Sequence, residues 1–131
     1  MSKPILRVRI STSDEHTAMV SAVLDSGSFY TILRENALPS GAALSRYTAS
    51  REFGTARKGG KIRMVGELIL IVKIGRKSIR TPAYVSPDLN KEMLLGAEAM
   101  QAWDISILNR KGRTTVQVGR DMDDPDITEI D

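Results

Sequence analysis

The feature that most constrains this chain is one acid set at the end of an apolar run. Residues 20–33 read Val-Ser-Ala-Val-Leu-Asp-Ser-Gly-Ser-Phe-Tyr-Thr-Ile-Leu. The run climbs to Asp25, Ser26 and Gly27 turn the chain, and a second β-rich run over residues 29–33 leads away. Apolar neighbours imply burial, and a lone buried carboxylate is costly unless it is paired, hydrogen-bonded or neutralised. Asp, Ser and Gly also suit an ordinary Asx or β-turn within a hairpin. The motif alone leaves both readings open.

Composition narrows the chemistry. The 131 residues suffice for one domain with a core of its own. No apolar run reaches the roughly 18 residues of a membrane helix, so no membrane partner is expected. With no cysteine and His16 as the only histidine, disulfides, thiolate metal sites and a histidine zinc site are excluded, and neither metal nor cofactor is expected. The chain passes from Met-Ser-Lys-Pro straight into an alternating strand without a signal-peptide core, so a cytoplasmic location is the expectation.

Charge is unevenly spread. Residues 121–131 hold six carboxylates and no Lys or Arg, so the net +3 of the chain divides into +9 over residues 1–120 and −6 in the tail. The basic residues are dispersed along strands and turns, and there is no aromatic stacking platform of the kind single-strand binders use. A solvated basic surface is expected, with no nucleic-acid partner. A domain over residues 1–120 and an acidic, disordered tail over 121–131 are expected.

Along the chain, residues 5–10 alternate with period two and pair with residues 17–24 as a hairpin. His16 at its tip reads as a solvated turn residue. Residues 34–40 suit one helical turn ended by Pro39 and Gly41. Residues 48–53 and 61–72 flank Gly54-Thr55-Ala56-Arg57-Lys58-Gly59-Gly60, a hairpin whose tip carries adjacent glycines. Gly66 is expected to break the second strand before the apolar run over residues 67–74. Residues 78–85 return. Met93-Leu94-Leu95-Gly96 precedes a short helix over residues 97–103, rich in helix formers. Met93, Leu94, Leu95, Met100 and Trp103 read as core. A closing hairpin covers residues 105–118. Eight or nine strands and one helix predict an all-β fold, a small, mostly antiparallel closed barrel with one short C-terminal helix.

Taken together, Asp25-Ser26-Gly27 and Leu94-Leu95-Gly96 resemble the two signature segments of the retropepsin-like aspartic proteases. In that family an apolar-apolar-Asp-Thr/Ser-Gly loop lies beside an apolar-apolar-Gly segment that starts a helix. The resemblance spans residues 5–118 and implies the retropepsin fold. Retroviral members carry an acid two residues after the first Gly and an Arg directly after the second. This chain has Phe29 and Ala97 there, so it is similar to the cellular or prokaryotic single-lobe branch.

The chemistry implied is peptide hydrolysis. No Ser-His-Asp or Cys-His set is available, and no phosphate-binding loop is present. Hydrolysis by aspartates needs one acid ionised, to take a proton from water, and one protonated, to polarise the carbonyl. Two carboxylates about 3 Å apart share a proton because they cannot both ionise. The chain has a single Asp-Ser-Gly, so the pair requires Asp25 from two protomers meeting on a two-fold axis, in a homodimer. The resemblance implies a role for each position. Asp25 is the catalytic acid or base, Ser26 braces the loop across the dimer, and Gly27 permits the turn and, with Ser28, meets the polypeptide substrate. Lys58, Gly59 and Gly60 form the tip of a flap over bound peptide, and Leu94, Leu95 and Gly96 pack beside the acid loop. Phe29, Tyr30, Ile62 and Met64 hint at pockets for apolar side chains. The alternative is a catalytically silent module of the same fold that dimerises or binds peptide.

Overall fold

The computed structural model describes residues 3–54, 61–119 and 126–130. The first hairpin joins β1 (Ile5–Thr12) and β2 (Thr17–Leu24). Its alternation is as read from the sequence: Leu6, Val8, Ile10 and Thr12 point inward while Ile5, Arg7 and Arg9 face solvent. Then follow β3 (Ile32–Arg34), a 3-10 turn at Glu35–Ala37, β4 (Ser45–Gly54), β5 (Lys61–Ile74) and β6 (Lys77–Ser86). The last elements are β7 (Met93–Leu95), α1 (Ala97–Ala102), β8 (Ile105–Arg110), β9 (Arg113–Val118) and β10 (Asp126–Ile130).

Six strands form a closed ring in the order β1-β2-β7-β3-β6-β5, and β5 returns to β1 with Arg9 opposite Lys73 through Thr12 opposite Leu70. Closure leaves no open edge in the ring, and β4 flanks it on β5. Inside lie Val8, Ile10, Val20, Leu33, Leu70, Val72 and Ile79 together with Met93, Leu95 and Met100. Each such side chain contributes about 1.5–3 kcal/mol by burial, so packing across the ring decides the register. A slip of one residue would turn every inward side chain of a strand outward. A smaller cluster of Ile32, Met64 and Leu89 packs with Tyr47, Phe53, Ile62, Tyr84 and Leu94 under the β4–β5 hairpin.

Several expectations are corrected. Gly66 does not break its strand, since β5 runs unbroken through it for 14 residues. Gly66 serves a close approach instead: a Cβ there would lie 2.7 Å from the Ser45 carbonyl oxygen. The β-rich run after the acid is a strand only over Ile32–Arg34. The Met93–Leu95 segment, read as a lead into the helix, is a strand parallel to β2. His16 is half-buried rather than solvated, with Nδ1 3.2 Å from Asp14 and its ring beside Gly41. Of the tail expected to be disordered, residues 121–125 and 131 lie outside the described residues, and Asp126–Ile130 forms β10, with Asp126 opposite Val118 and Ile130 opposite Thr114.

Candidate active site

The acid loop hangs between two strands that are neighbours only in space. β2 carries Ala22, Val23 and Leu24 beside Met93, Leu94 and Leu95 of β7. Asp25 extends this parallel ladder by one bond, its N–H donating to the Leu95 carbonyl at 3.0 Å. The chain then turns, with the Ser28 N–H on the Asp25 carbonyl at 3.1 Å. Gly27 donates its N–H to Asp25 Oδ1 at 2.9 Å, an Asx-type bond that holds the carboxyl in the turn. Both readings of the motif thus meet in one loop.

The second segment locks the first. Gly96 N–H donates to the buried Thr31 hydroxyl at 3.1 Å. Ala97 and Glu98, the first residues of α1, donate to the carbonyls of Ser28 at 2.7 Å and Phe29 at 2.9 Å. The free N–H groups at a helix start need acceptors, and here the acid loop supplies them. Gly96 must be glycine because a Cβ would lie 2.3 Å from the Tyr30 carbonyl oxygen and 2.6 Å from that of Phe29.

Asp25 is 7% exposed. Its second oxygen, Oδ2, accepts from the Lys3 ammonium at 2.7 Å. Among the described residues no other side chain bonds to the carboxyl. The loop therefore presents one acid, whose two oxygens are held by a backbone amide and an ammonium.

Around the loop runs an aromatic wall. Tyr30 meets Phe29, Phe53 and Tyr84 edge-on, with ring centroids 5.1, 5.2 and 5.1 Å away. Edge-to-face packing at this range favours aromatic pairs, so the acid loop is tied to β4 and β6. Phe29 and Tyr30 are exposed, as a wall for apolar side chains requires. Met64, expected in the same role, is fully buried and cannot meet a ligand. Below the wall, Tyr47 donates its hydroxyl to Glu67 at 2.9 Å. Burial, and then this bond to a carboxylate, push the Tyr47 phenol up to about 12. The Tyr84 phenol is also raised, first by burial and then by Glu67.

The sequence-derived residues fall as follows. Asp25, Gly27, Ser28, Leu94, Leu95 and Gly96 come together in one interlocked loop pair. Ser26 is exposed in the turn, with no hydrogen bond of its hydroxyl among the described residues. Lys58, Gly59 and Gly60 lie outside the described residues. The strands on either side of them pair antiparallel, with Phe53 opposite Ile62 and Gly54 opposite Lys61. Sequence reading missed Thr31 and Lys3. A Thr beside an apolar run gives no local sign of burial, whereas Lys3 was within reach of the hairpin register.

Comparison with known proteins agrees with this geometry. A family model described as retroviral aspartyl protease matches residues 1–108. Among solved structures, the retroviral protease-like domain of Ddi1 from Leishmania major superposes with a TM-score of 0.62 at 16% identity, over 88% of this chain and 89% of that one. The EIAV protease in complex with the inhibitor HBY-793 does so with a TM-score of 0.57 at 17% identity, over 82% of this chain and 94% of that one. At these identities the likeness concerns the fold. A search of curated protein sequences found no match to the chain.

Proposed function

Since the chain belongs to the retroviral aspartyl protease family, we propose that it is an aspartic endopeptidase active as a homodimer. The observation that carries this reading is a nearly buried Asp25 held in a Gly turn and interlocked with the Leu94-Leu95-Gly96 segment. Water is activated by two Asp25 carboxyls, one from each protomer, that share a proton. The ionised member takes a proton from water as the oxygen attacks the peptide carbonyl, and the protonated member donates to the carbonyl oxygen. The acid that took the proton from water then gives it to the nitrogen as the C–N bond breaks, and a hydroxyl of the tetrahedral intermediate returns its proton to the other acid, which restores the pair.

The proposal gives each other residue the role that the family resemblance implies. Gly27 and Ser28 offer backbone groups to an extended peptide, and Ser26, exposed in the turn, bonds across the dimer. Lys58, Gly59 and Gly60 close over the substrate. The exposed faces of Phe29 and Tyr30 supply apolar contact beside the acid.

The test is hydrolysis of unfolded casein or a peptide library at pH about 4–6, where a shared proton is available. Wild-type protein is expected to cut, and Asp25→Asn is expected to lose cutting while keeping its fold by circular dichroism. Residual cutting by Asp25→Asn would overturn the mechanism. A dimer that cuts nothing would leave a silent dimerisation or peptide-binding module.

A further inference from the structure

The ring carries two cations opposite each other on its outer wall. Across the β1–β5 ladder Arg9 stands directly opposite Lys73, and like charges in that position repel. The chain neighbours Ile10 and Val72 are fully buried, so strand alternation sets both cations outward. The same rung continues to Met19 on β2 and Ser78 on β6, neither of which is an acid. One rung further along, Ile71 lies between Ser11 of β1 and Arg80 of β6. Among the described residues no carboxylate pairs with Arg9, Lys73 or Arg80. Elsewhere on the surface Arg46 reaches Glu35 at 3.0 Å and Arg63 reaches Asp88 at 3.4 Å.

Aliphatic side chains border these cations. Met19, Ile69 and Ile71 are 48%, 43% and 37% exposed, and apolar surface gathered in this way marks an interaction site. Closure of β5 onto β1 leaves no strand edge here for an incoming strand, so recognition falls to side chains. Carboxylates would meet Arg9, Lys73 and Arg80, with the guanidinium forks able to take both oxygens. Aliphatic groups would pack on Met19, Ile69 and Ile71. A phosphate polymer would satisfy the cations and leave the aliphatic groups wet, and none of these positions is an aromatic ring on which bases could stack. A lipid surface deep enough to take the aliphatic groups would bury Arg9 and Lys73 between them, which is costly. A second copy docked by the same face about a two-fold axis would set cation on cation.

We propose that the outer wall of β1, β5 and β6 is a docking surface for an acidic polypeptide segment that carries aliphatic side chains among its carboxylates. The docked segment supplies the counter-charge that the fold withholds from Arg9 and Lys73. The surface is separate from the acid loop, since Met19 precedes Asp25 along β2 by about 20 Å at the rise of a strand. Docking there does not require turnover, so it stands apart from the enzymatic reading.

The experiment is fluorescence anisotropy at neutral pH with a labelled peptide of Glu and Leu residues and full-length Asp25→Asn protein, a background that keeps cleavage out of the readout. Binding is expected. Adding Arg9→Gln and Lys73→Gln together should weaken it about fivefold, as the loss of two exposed ion pairs implies, and flatten its dependence on salt. Arg110→Gln with Lys111→Gln removes as much charge from the exposed β8–β9 turn and should change it little. Ile69→Thr with Ile71→Thr should weaken the Glu-Leu peptide and spare a Glu-Ser one. The Arg9 and Lys73 double variant should also resist urea at least as well as its parent, because a repulsive pair is gone. Lower stability would assign the pair to the fold and overturn the proposal. Unchanged affinity in that variant, or equal loss in both charge variants, overturns it as well. So does a single-stranded oligonucleotide or a phosphatidylserine vesicle that binds this face more tightly than the peptide, or self-association of the free protein that the Arg9 and Lys73 variant abolishes.

Discussion

Gly96 and Tyr30 approach so closely that a Cβ on residue 96 would lie 2.3 Å from the Tyr30 carbonyl oxygen. Gly96 has φ −93 and ψ 177, extended backbone open to any residue, so contact alone demands glycine here. Gly96→Ala must push the acid loop off β7, at a cost of about 3 kcal/mol for overpacking. Urea unfolding of the variant is the measurement. Stability equal to wild type would mean that the loop yields freely and that the two segments are not locked.

Thr31 makes the polar half of the same lock. Thr31→Val keeps the shape but leaves the Gly96 N–H without its acceptor in a buried setting, a loss of about 1–3 kcal/mol. Thr31→Ser retains the hydroxyl and should lose less. Amide exchange reports the bond directly, and the Gly96 amide is expected to exchange faster in the valine variant than in the serine one.

The first hairpin turn carries a pH dependence. Asp14 is held down at about 2, first by the Thr12 hydroxyl and then by His16. A carboxyl whose folded value lies below its unfolded value of about 3.9 stabilises the fold above that unfolded value. The contribution is lost as pH falls through about 2. Carbon-detected titration should place the Asp14 midpoint near 2 in wild type and higher in Thr12→Val. An Asp14 midpoint near 4, the ordinary carboxyl value, would contradict the hydrogen bond.

Tyr47 acts at the other end of the scale. Its phenol, raised to about 12, stays neutral in the folded protein while an unfolded tyrosine ionises near 10. A raised value stabilises the fold below the unfolded value and loses that contribution as pH climbs from about 10 toward 12. Absorbance at alkaline pH should show a late phenol that moves down in Glu67→Gln, because the carboxylate that accepts its proton is gone. Burial remains in that variant, so the shift is expected to be partial.

Much of the architecture was legible because it is written in short-range pattern. The alternation in residues 5–10 fixed one face of β1, and Asp25-Ser26-Gly27 announced a turn with an acid in it. Other features have no local signal. Met93-Leu94-Leu95 is an apolar triplet that suits a helix lead or a strand, and only its parallel place beside β2 makes it β7. Gly66 looks like a breaker from its neighbours and is in fact the point where Ser45 crosses close. The acidic tail reads as solvated, yet Asp126–Ile130 pairs with β9, since backbone bonding to a strand edge asks little of side chains.

Sequence alone settled which segments alternate, where the chain must turn, and which residue is the exceptional acid. Three-dimensional folding settled the rest. It brought the Leu95 carbonyl to the Asp25 amide, pressed Gly96 against Tyr30, closed β5 onto β1, and set Lys3 on the carboxyl. The physical reason is range. Propensity and periodicity act over a few residues, whereas these contacts join segments far apart in the chain and exist only once the ring has closed around its core.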